Sequence, residues 1–136
     1  MNVRRATEAD EAVLHELWRE FNAEVPEPDG FEPESWDEEW ADTRADIASR
    51  GVFLAEDDGG AVGVIRIESP EQGAMHIQLA HVRERARRQG VTKALLAACA
   101  AHAREQGART ISLEVLTTNG AAQVVSDAVE MWSVTV

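Results

Sequence analysis

The stretch from Ala74 to Leu96 leaves this chain few folds to choose from. Met75, Ile77 and Leu79 alternate with His76, Gln78 and Ala80, the period of a half-buried strand. Arg83, Arg85, Arg87 and Arg88 follow, then Gly90, then Thr92-Lys93-Ala94-Leu95-Leu96 at the head of an alanine-rich apolar segment. The order is therefore strand, basic turn, helix N-terminus. The first N–H groups of a helix have no partner within it, and its dipole places partial positive charge at that end. With arginines and a lysine added, such a place suits an anion, and pyrophosphate is the simplest ligand of that kind.

The same residues carry a family pattern. Arg87-Arg88-Gln89-Gly90-Val91-Thr92 resembles the acetyl-CoA signature of the GNAT superfamily of N-acetyltransferases, R/Q-x-x-G-x-G/A. Val82 stands where that family has a valine about five residues upstream, and Ala94-Leu95-Leu96 matches the start of its helix. Thr92 departs from the pattern, taking the place of a Gly or Ala. The resemblance runs over residues 3–123 and is most specific between 79 and 122.

Composition narrows the function classes. With 136 residues the chain suits one domain around one core, and the resemblance implies that this domain, 1–136, is a single acetyl-CoA-binding, acetyltransferase-like one. No apolar run approaches the roughly 20 residues that span a bilayer, and the single cysteine, Cys99, rules out an internal disulfide framework. A cytoplasmic protein is expected. The net charge of −12 is unevenly spread: residues 1–60 hold 18 acidic and 5 basic side chains, and residues 61–136 hold 7 and 8. Such a chain repels nucleic acid and anionic membranes. The polarity fits an anionic cofactor on one half and an amine drawn to the other.

Along the chain, Val3 to Ala6 reads as a first strand, and Thr7 with Asp10 as a capping box. A helix follows with Val13, Leu14, Leu17, Trp18 and Phe21 on one stripe, ended by Pro26 and Pro28. Residues 26–34 read as a loop. Ser35 caps a second helix whose apolar residues Trp36, Trp40, Ala41, Ile47 and Ala48 recur at helical spacing, stopped by Ser49-Arg50-Gly51. Val52 to Ala55 and Ala61 to Glu68 form a hairpin about Asp57-Asp58-Gly59-Gly60, and after a turn at 69–73 the strand Ala74 to Val82 begins. A helix from Gly90 to Gln106, with Gly107 beyond its end, leads to a strand Thr110 to Leu116. A last helix, Gly120 to Val129, and a short strand, Met131 to Val136, complete the order β-α-α-β-β-β-α-β-α-β. The helical connection between residues 74–82 and 110–116 implies a right-handed parallel crossover.

The expected class is α/β, a GNAT-like mixed and mostly antiparallel sheet with helices on both faces. Family members carry two strands after the last helix. Here the final one is missing or supplied by a partner chain, and a homodimer is expected from the open sheet edge.

The resemblance implies further roles. In the family the two parallel strands splay apart and the pantetheine arm enters the gap. A bulge before the signature frees backbone groups for the acetyl carbonyl and the pantetheine amides, which by position assigns Leu79, Ala80, His81 and Val82 to the cofactor. His81 breaks the apolar alternation as a bulge would. Pyrophosphate falls to the backbone of Arg87, Arg88, Gln89, Gly90, Val91 and Thr92, with Arg85 and Lys93 nearby. Asn119 and Ala122 match the family's N-x-x-A beside the cofactor.

The family's next position is a tyrosine, commonly the proton donor to the departing thiolate. Ser126 occupies it, and the chain has no tyrosine at all. No catalytic residue is therefore fixed; Ser126, His81 and Glu114 are the candidates. The first two helices and their loop form the family's acceptor pocket, which brings in Phe31, Trp36 and Trp40 among Glu32, Glu34, Asp37, Glu38 and Glu39. The resulting expectation is an acetyl-CoA-dependent N-acetyltransferase that moves acetyl to a primary amine, a small cation or a peptide end, by direct attack and without a metal. The alternative is a weak or inactive acyl-CoA-binding module with a regulatory role.

Overall fold

In the computed structural model, residues 1–24, 35–69, 73–115 and 130–135 are described. β1 (Asn2–Arg5) leads through a 3-10 turn into α1 (Glu11–Glu24). α2 (Trp36–Ala48), β2 (Val52–Asp57), β3 (Gly60–Ile67) and β4 (Ala74–Val82) follow. A second 3-10 turn, Glu84–Ala86, precedes α3 (Val91–Glu105), β5 (Thr110–Val115) and β6 (Glu130–Thr135). The strands form one sheet in sequential order. β1 to β4 pair antiparallel, whereas β4–β5 and β5–β6 pair parallel. The expected loop at 26–34 and the helix 120–129 lie outside the described residues.

Local chemistry sets the boundaries. The Thr7 N–H donates to the Asp10 carboxylate at 2.8 Å, fixing the start of the first helical stretch. Ser35 Oγ accepts from the Glu38 N–H at 3.3 Å and caps α2. At its end Arg50 takes a left-handed φ of 67°. Gly51 follows where the chain touches β3, and a Cβ there would lie 2.3 Å from the Ile67 carbonyl oxygen. α3 ends in a Schellman motif: Ala108 N–H bonds Ala103 O at 2.9 Å and Gly107 N–H bonds Arg104 O at 3.0 Å. Gly107, at φ 78°, supplies the left-handed residue it needs.

The sheet is covered on both faces. On one, Phe53, Ile65, Ile67, Met75, Ile77 and Val82 pack against Leu95, Leu96, Cys99 and Ala103 of α3. Gly63 lets α3 come close, since a Cβ there would sit 3.1 Å from both Leu95 Cδ1 and Val91 Cγ1. On the other, Val52, Leu54, Val64 and Leu79 meet Leu14 and Leu17 of α1.

Two expectations needed correction. The packed face of α2 is mixed: Trp36, Trp40 and Ile47 pack against the α1-side core, but Ala41 and Ala48 are exposed and the fully buried positions are Glu39, Thr43 and Asp46. The cause lies on β3, where buried Arg66 donates to Glu39 Oε1 and Asp46 Oδ2, both at 2.7 Å. Burying a guanidinium requires such partners, and α2 turns its acids toward it. The second correction concerns β4. Ile67 pairs with Ile77 but Arg66 with Leu79, so Gln78 is an extra residue, a β-bulge. The bulge lies three residues before His81 and reverses the alternation. Met75 and Ile77 therefore pack toward α3, and Leu79 packs toward α1.

Candidate cofactor site

β4 and β5 part company halfway. Their pairing runs from Ala74–Thr110 to Ile77–Leu113. Beyond that point β5 pairs with β6, through Glu114–Val134 and Val115–Thr135, while β4 continues to Val82. Among the described residues, no strand lies on the β5 side of Gln78–Val82.

The backbone there has a definite direction. Arg83 N–H donates to Val62 O at 2.8 Å. Bonded and non-bonded pairs alternate in an antiparallel ladder, so the pairs His81–Val64 and Leu79–Arg66 spend their backbone groups on β3. Ala80 and Val82 direct theirs into the gap. The Val82 carbonyl accepts Arg87 Nε at 3.0 Å, which leaves the Ala80 N–H and C=O and the Val82 N–H facing the opening.

The signature closes one end of this gap. Arg88 and Gly90 both have left-handed backbones, φ 65° and 81°. Gly90 does so without strain; the long side chain of Arg88 does so at a cost that clusters at functional sites. The first helical bond of α3 is Ala94 N–H to Gly90 O at 3.0 Å, so the N–H groups of Val91, Thr92 and Lys93 have no partner within the helix. No acid stands in that first turn. A concavity of about 260 Å³ lies here, lined by Val82, Ala86, Arg87, Arg88, Gly90, Val91, Thr92 and Lys93. Among the described residues, nothing lies within 4 Å of the position a Gly90 Cβ would take, so that side is open to a ligand.

The basic residues divide into two groups. Arg83 contacts Glu16 and lies 2.9 Å from Glu20. Arg85 turns away to Asp57 at 2.9 Å, and together with the Gly59 N–H it holds the Asp57 carboxyl below the usual carboxylate range. Arg87 contacts Glu24. Among the described residues, Arg88 and Lys93 alone of the signature cations carry no ion pair. Glu16, Glu20 and Glu24 stand four residues apart on one face of α1. Part of the charge polarity in the sequence is thus neutralised inside the molecule, and sequence spacing alone gave no sign of which arginine each acid meets.

His81 lies beneath α1. Its side chain is buried, with Nε2 3.3 Å from Glu20 Oε1 and the ring edge-on to Phe21. His76 Nδ1 lies within hydrogen-bond distance of Ser112 Oγ, 2.7 Å, where β4 and β5 still pair. Trp36 is sandwiched, with His15 stacked at 4.3 Å and Trp40 at 5.7 Å between ring centroids, and its Nε1–H donates to Glu11 at 3.1 Å. Glu114 stands on β5, paired with β6. Burial pushes the Cys99 thiol up to about 12, which keeps it protonated and unreactive. Phe31, Asn119, Ala122 and Ser126 lie outside the described residues.

Comparisons with known proteins follow the same lines. No curated protein matches the sequence. Solved structures do: Ard1 of Thermoplasma volcanium superposes with a TM-score of 0.71 at 24% identity, over 88% of this chain and 74% of that one. A ribosomal-protein-alanine N-acetyltransferase of Brucella melitensis gives 0.63 at 21%, over 80% and 70%. Rv2747 of Mycobacterium tuberculosis, determined with CoA, gives 0.63 at 15%, over 80% and 61%. The chain thus spans between three fifths and three quarters of these relatives, and at such identities the likeness is one of fold. The sequence model of the Acetyltransferase (GNAT) family matches residues 11–125. With the splayed strands, the bulge and the signature at the head of α3, that match makes this chain a member of the GNAT acetyltransferase family.

Proposed function

We propose that the protein is an acetyl-CoA-dependent N-acetyltransferase acting on a primary amine. The observation that carries this reading is that the gap beside Gln78–Val82 and the concavity at the head of α3 meet at Val82. One end of that channel offers backbone N–H groups at the right place for an amide-bearing arm. The other offers a helix N-terminus and two uncommitted cations for a pyrophosphate.

In this reading the N–H groups of Val91, Thr92 and Lys93, with Arg87, Arg88 and Lys93 side chains, hold the phosphates. Gln89 and Gly90 shape the turn, and Thr92 adds a hydroxyl donor where relatives have a smaller residue. Ala80 and Val82 line the arm, and their backbone N–H groups stabilise the oxyanion that develops at the thioester carbonyl; Leu79 and His81, bonded to β3 through their backbones and packed under α1 by their side chains, hold the strand in place and do not touch the arm. The family's N-x-x-A pattern assigns Asn119 and Ala122 to the same arm. Bound acetyl-CoA supplies the thioester. The acceptor nitrogen forms the new C–N bond, the C–S bond breaks, the amine gives its proton to solvent, and the thiolate leaves. Thiolate is a competent leaving group, so transfer proceeds without the tyrosine at a reduced rate.

The acceptor is a cationic amine or a basic peptide end, approaching across α1 and α2 beside Trp36 and Trp40; the acidity of residues 1–60 supports this choice. The same reading makes the protein cytoplasmic and a homodimer through the edge strand β6. It is tested by following CoA thiol release from acetyl-CoA against a panel of polyamines, aminoglycosides and basic N-terminal peptides. Amine-dependent release supports it. Tight acetyl-CoA binding with no release from any acceptor refutes transferase activity and favours the acyl-CoA-binding module.

A further inference from the structure

Arg87 is committed before any ligand arrives. It lines the 260 Å³ concavity, yet its Nη2 donates to Glu24 and its Nε to the Val82 carbonyl. Glu24 is the last residue of α1, and Glu16 and Glu20 on the same face hold Arg83 and His81. α1 is therefore tied by three acidic side chains to the segment that carries the signature. Arg88 and Lys93, the other cations lining the concavity, have no such tie among the described residues.

We propose that Glu24 is an intramolecular competitor for the phosphate-binding guanidinium, and that it sets the affinity of the site for its anionic ligand. This rests on the cofactor reading above and concerns the regulation of that same site. The chemistry is a partner exchange. In the free protein Nη2 of Arg87 meets a carboxylate oxygen; in the complex it meets a phosphate oxygen, an acceptor of the same kind carrying more charge. The Nε–Val82 bond keeps the guanidinium at the mouth of the gap through the exchange, so only the outer nitrogen changes partner. Because coupling is reciprocal, the ligand loosens the tie between α1 and the signature by as much as the tie weakens the ligand.

Both side chains are a little over two fifths exposed, so the tie is of the weak, solvent-screened kind, worth about two- to fivefold in an equilibrium constant. The test is calorimetric titration with CoA of the parent, Glu24→Gln, Arg87→Gln and the double variant, with Glu16→Gln as a control for loss of one negative charge on the same helix. Glu24→Gln binds CoA about two- to fivefold more tightly than the parent, and the gain disappears in the Arg87→Gln background. Glu16→Gln, whose partner Arg83 is outside the concavity, gains less. Unchanged or weaker binding by Glu24→Gln overturns the proposal. So does an equal gain with Arg87 absent, or an equal gain in Glu16→Gln, since either makes the effect one of net charge. A parent protein that binds no CoA overturns the cofactor reading beneath it, an outcome separate from parent binding that Glu24→Gln leaves unchanged.

Discussion

Arg66→Met tests the packing of α2 on the sheet. Arg66, Glu39 and Asp46 have side chains only 7%, 10% and 11% exposed, joined by two 2.7 Å bonds. Removing the guanidinium leaves two carboxylates buried without their shared counter-charge, and breaking a buried pair in this way costs about 3–5 kcal/mol. A chain of this length is stable by about 7–20 kcal/mol, so the loss takes a large share and is read directly as a fall in the urea midpoint. The deficit also depends on pH. Burial already raises the Asp46 carboxyl above its ordinary value, against the pull of the Arg66 hydrogen bond. A raised folded-state pKa favours the native state below the unfolded value, near 3.9, and that advantage is lost as pH rises through the folded value. Without Arg66 the folded value moves higher still, so the variant regains stability from a higher pH downward and its deficit shrinks on acidification. Replacing all three residues together (Arg66→Met, Glu39→Leu, Asp46→Leu) recovers most of the loss, because no buried charge remains. A deficit below about 1 kcal/mol, or one equal at pH 5 and pH 8, would refute the account of how α2 is held.

Three other variants bear on separate features. Gly90→Val weakens CoA binding at least tenfold while the far-ultraviolet spectrum is kept: the site is open, but a β-branched residue at φ 81° is strained by about 1–2 kcal/mol and its side chain projects where the ligand lies. Gly51→Ala lowers the melting temperature sharply, since its Cβ would sit 2.3 Å from the backbone oxygen of Ile67 and overpacking of this kind costs about 1–3 kcal/mol or more. Asp10→Asn destabilises the protein at neutral pH but not in strong acid. The Arg4 hydrogen bonds hold the Asp10 carboxyl below its ordinary range, so the stability it contributes is present above the unfolded pKa and is lost as pH falls through the folded one; equal destabilisation in denaturation curves across the whole range would contradict this.

The sequence was most legible where local rules decide. The alternation of β4, the glycine after the arginines and the capping residues Thr7 and Ser35 each act within a few residues, and elements appeared within one or two positions of where they were read. The extent of α2 and the packing of Trp36, Trp40 and Ile47 are legible in its sequence, but the burial of Glu39 and Asp46 is not, because their partner Arg66 comes from a strand 20 residues and more away. The interruption of the apolar pattern points to a bulge at His81. It lies at Gln78, where a polar residue falls in step with the alternation and leaves no mark. His81 breaks the pattern because the bulge before it has already reversed the faces. The cofactor region was legible as a motif, but the commitment of Arg83, Arg85 and Arg87 to Glu16, Glu20, Asp57 and Glu24 was not, since ion-pair partners across a fold carry no spacing rule. A repeat of glutamates four apart on α1 was the one available hint.

The central claim is that this chain carries a working acetyl-CoA site. Calorimetric titration of the purified protein with acetyl-CoA, at low and moderate salt, tests it most directly. The account predicts one site per chain with micromolar affinity that weakens as salt rises, as expected of a phosphate held by a helix N-terminus and arginines. Absence of binding at millimolar acetyl-CoA would contradict it.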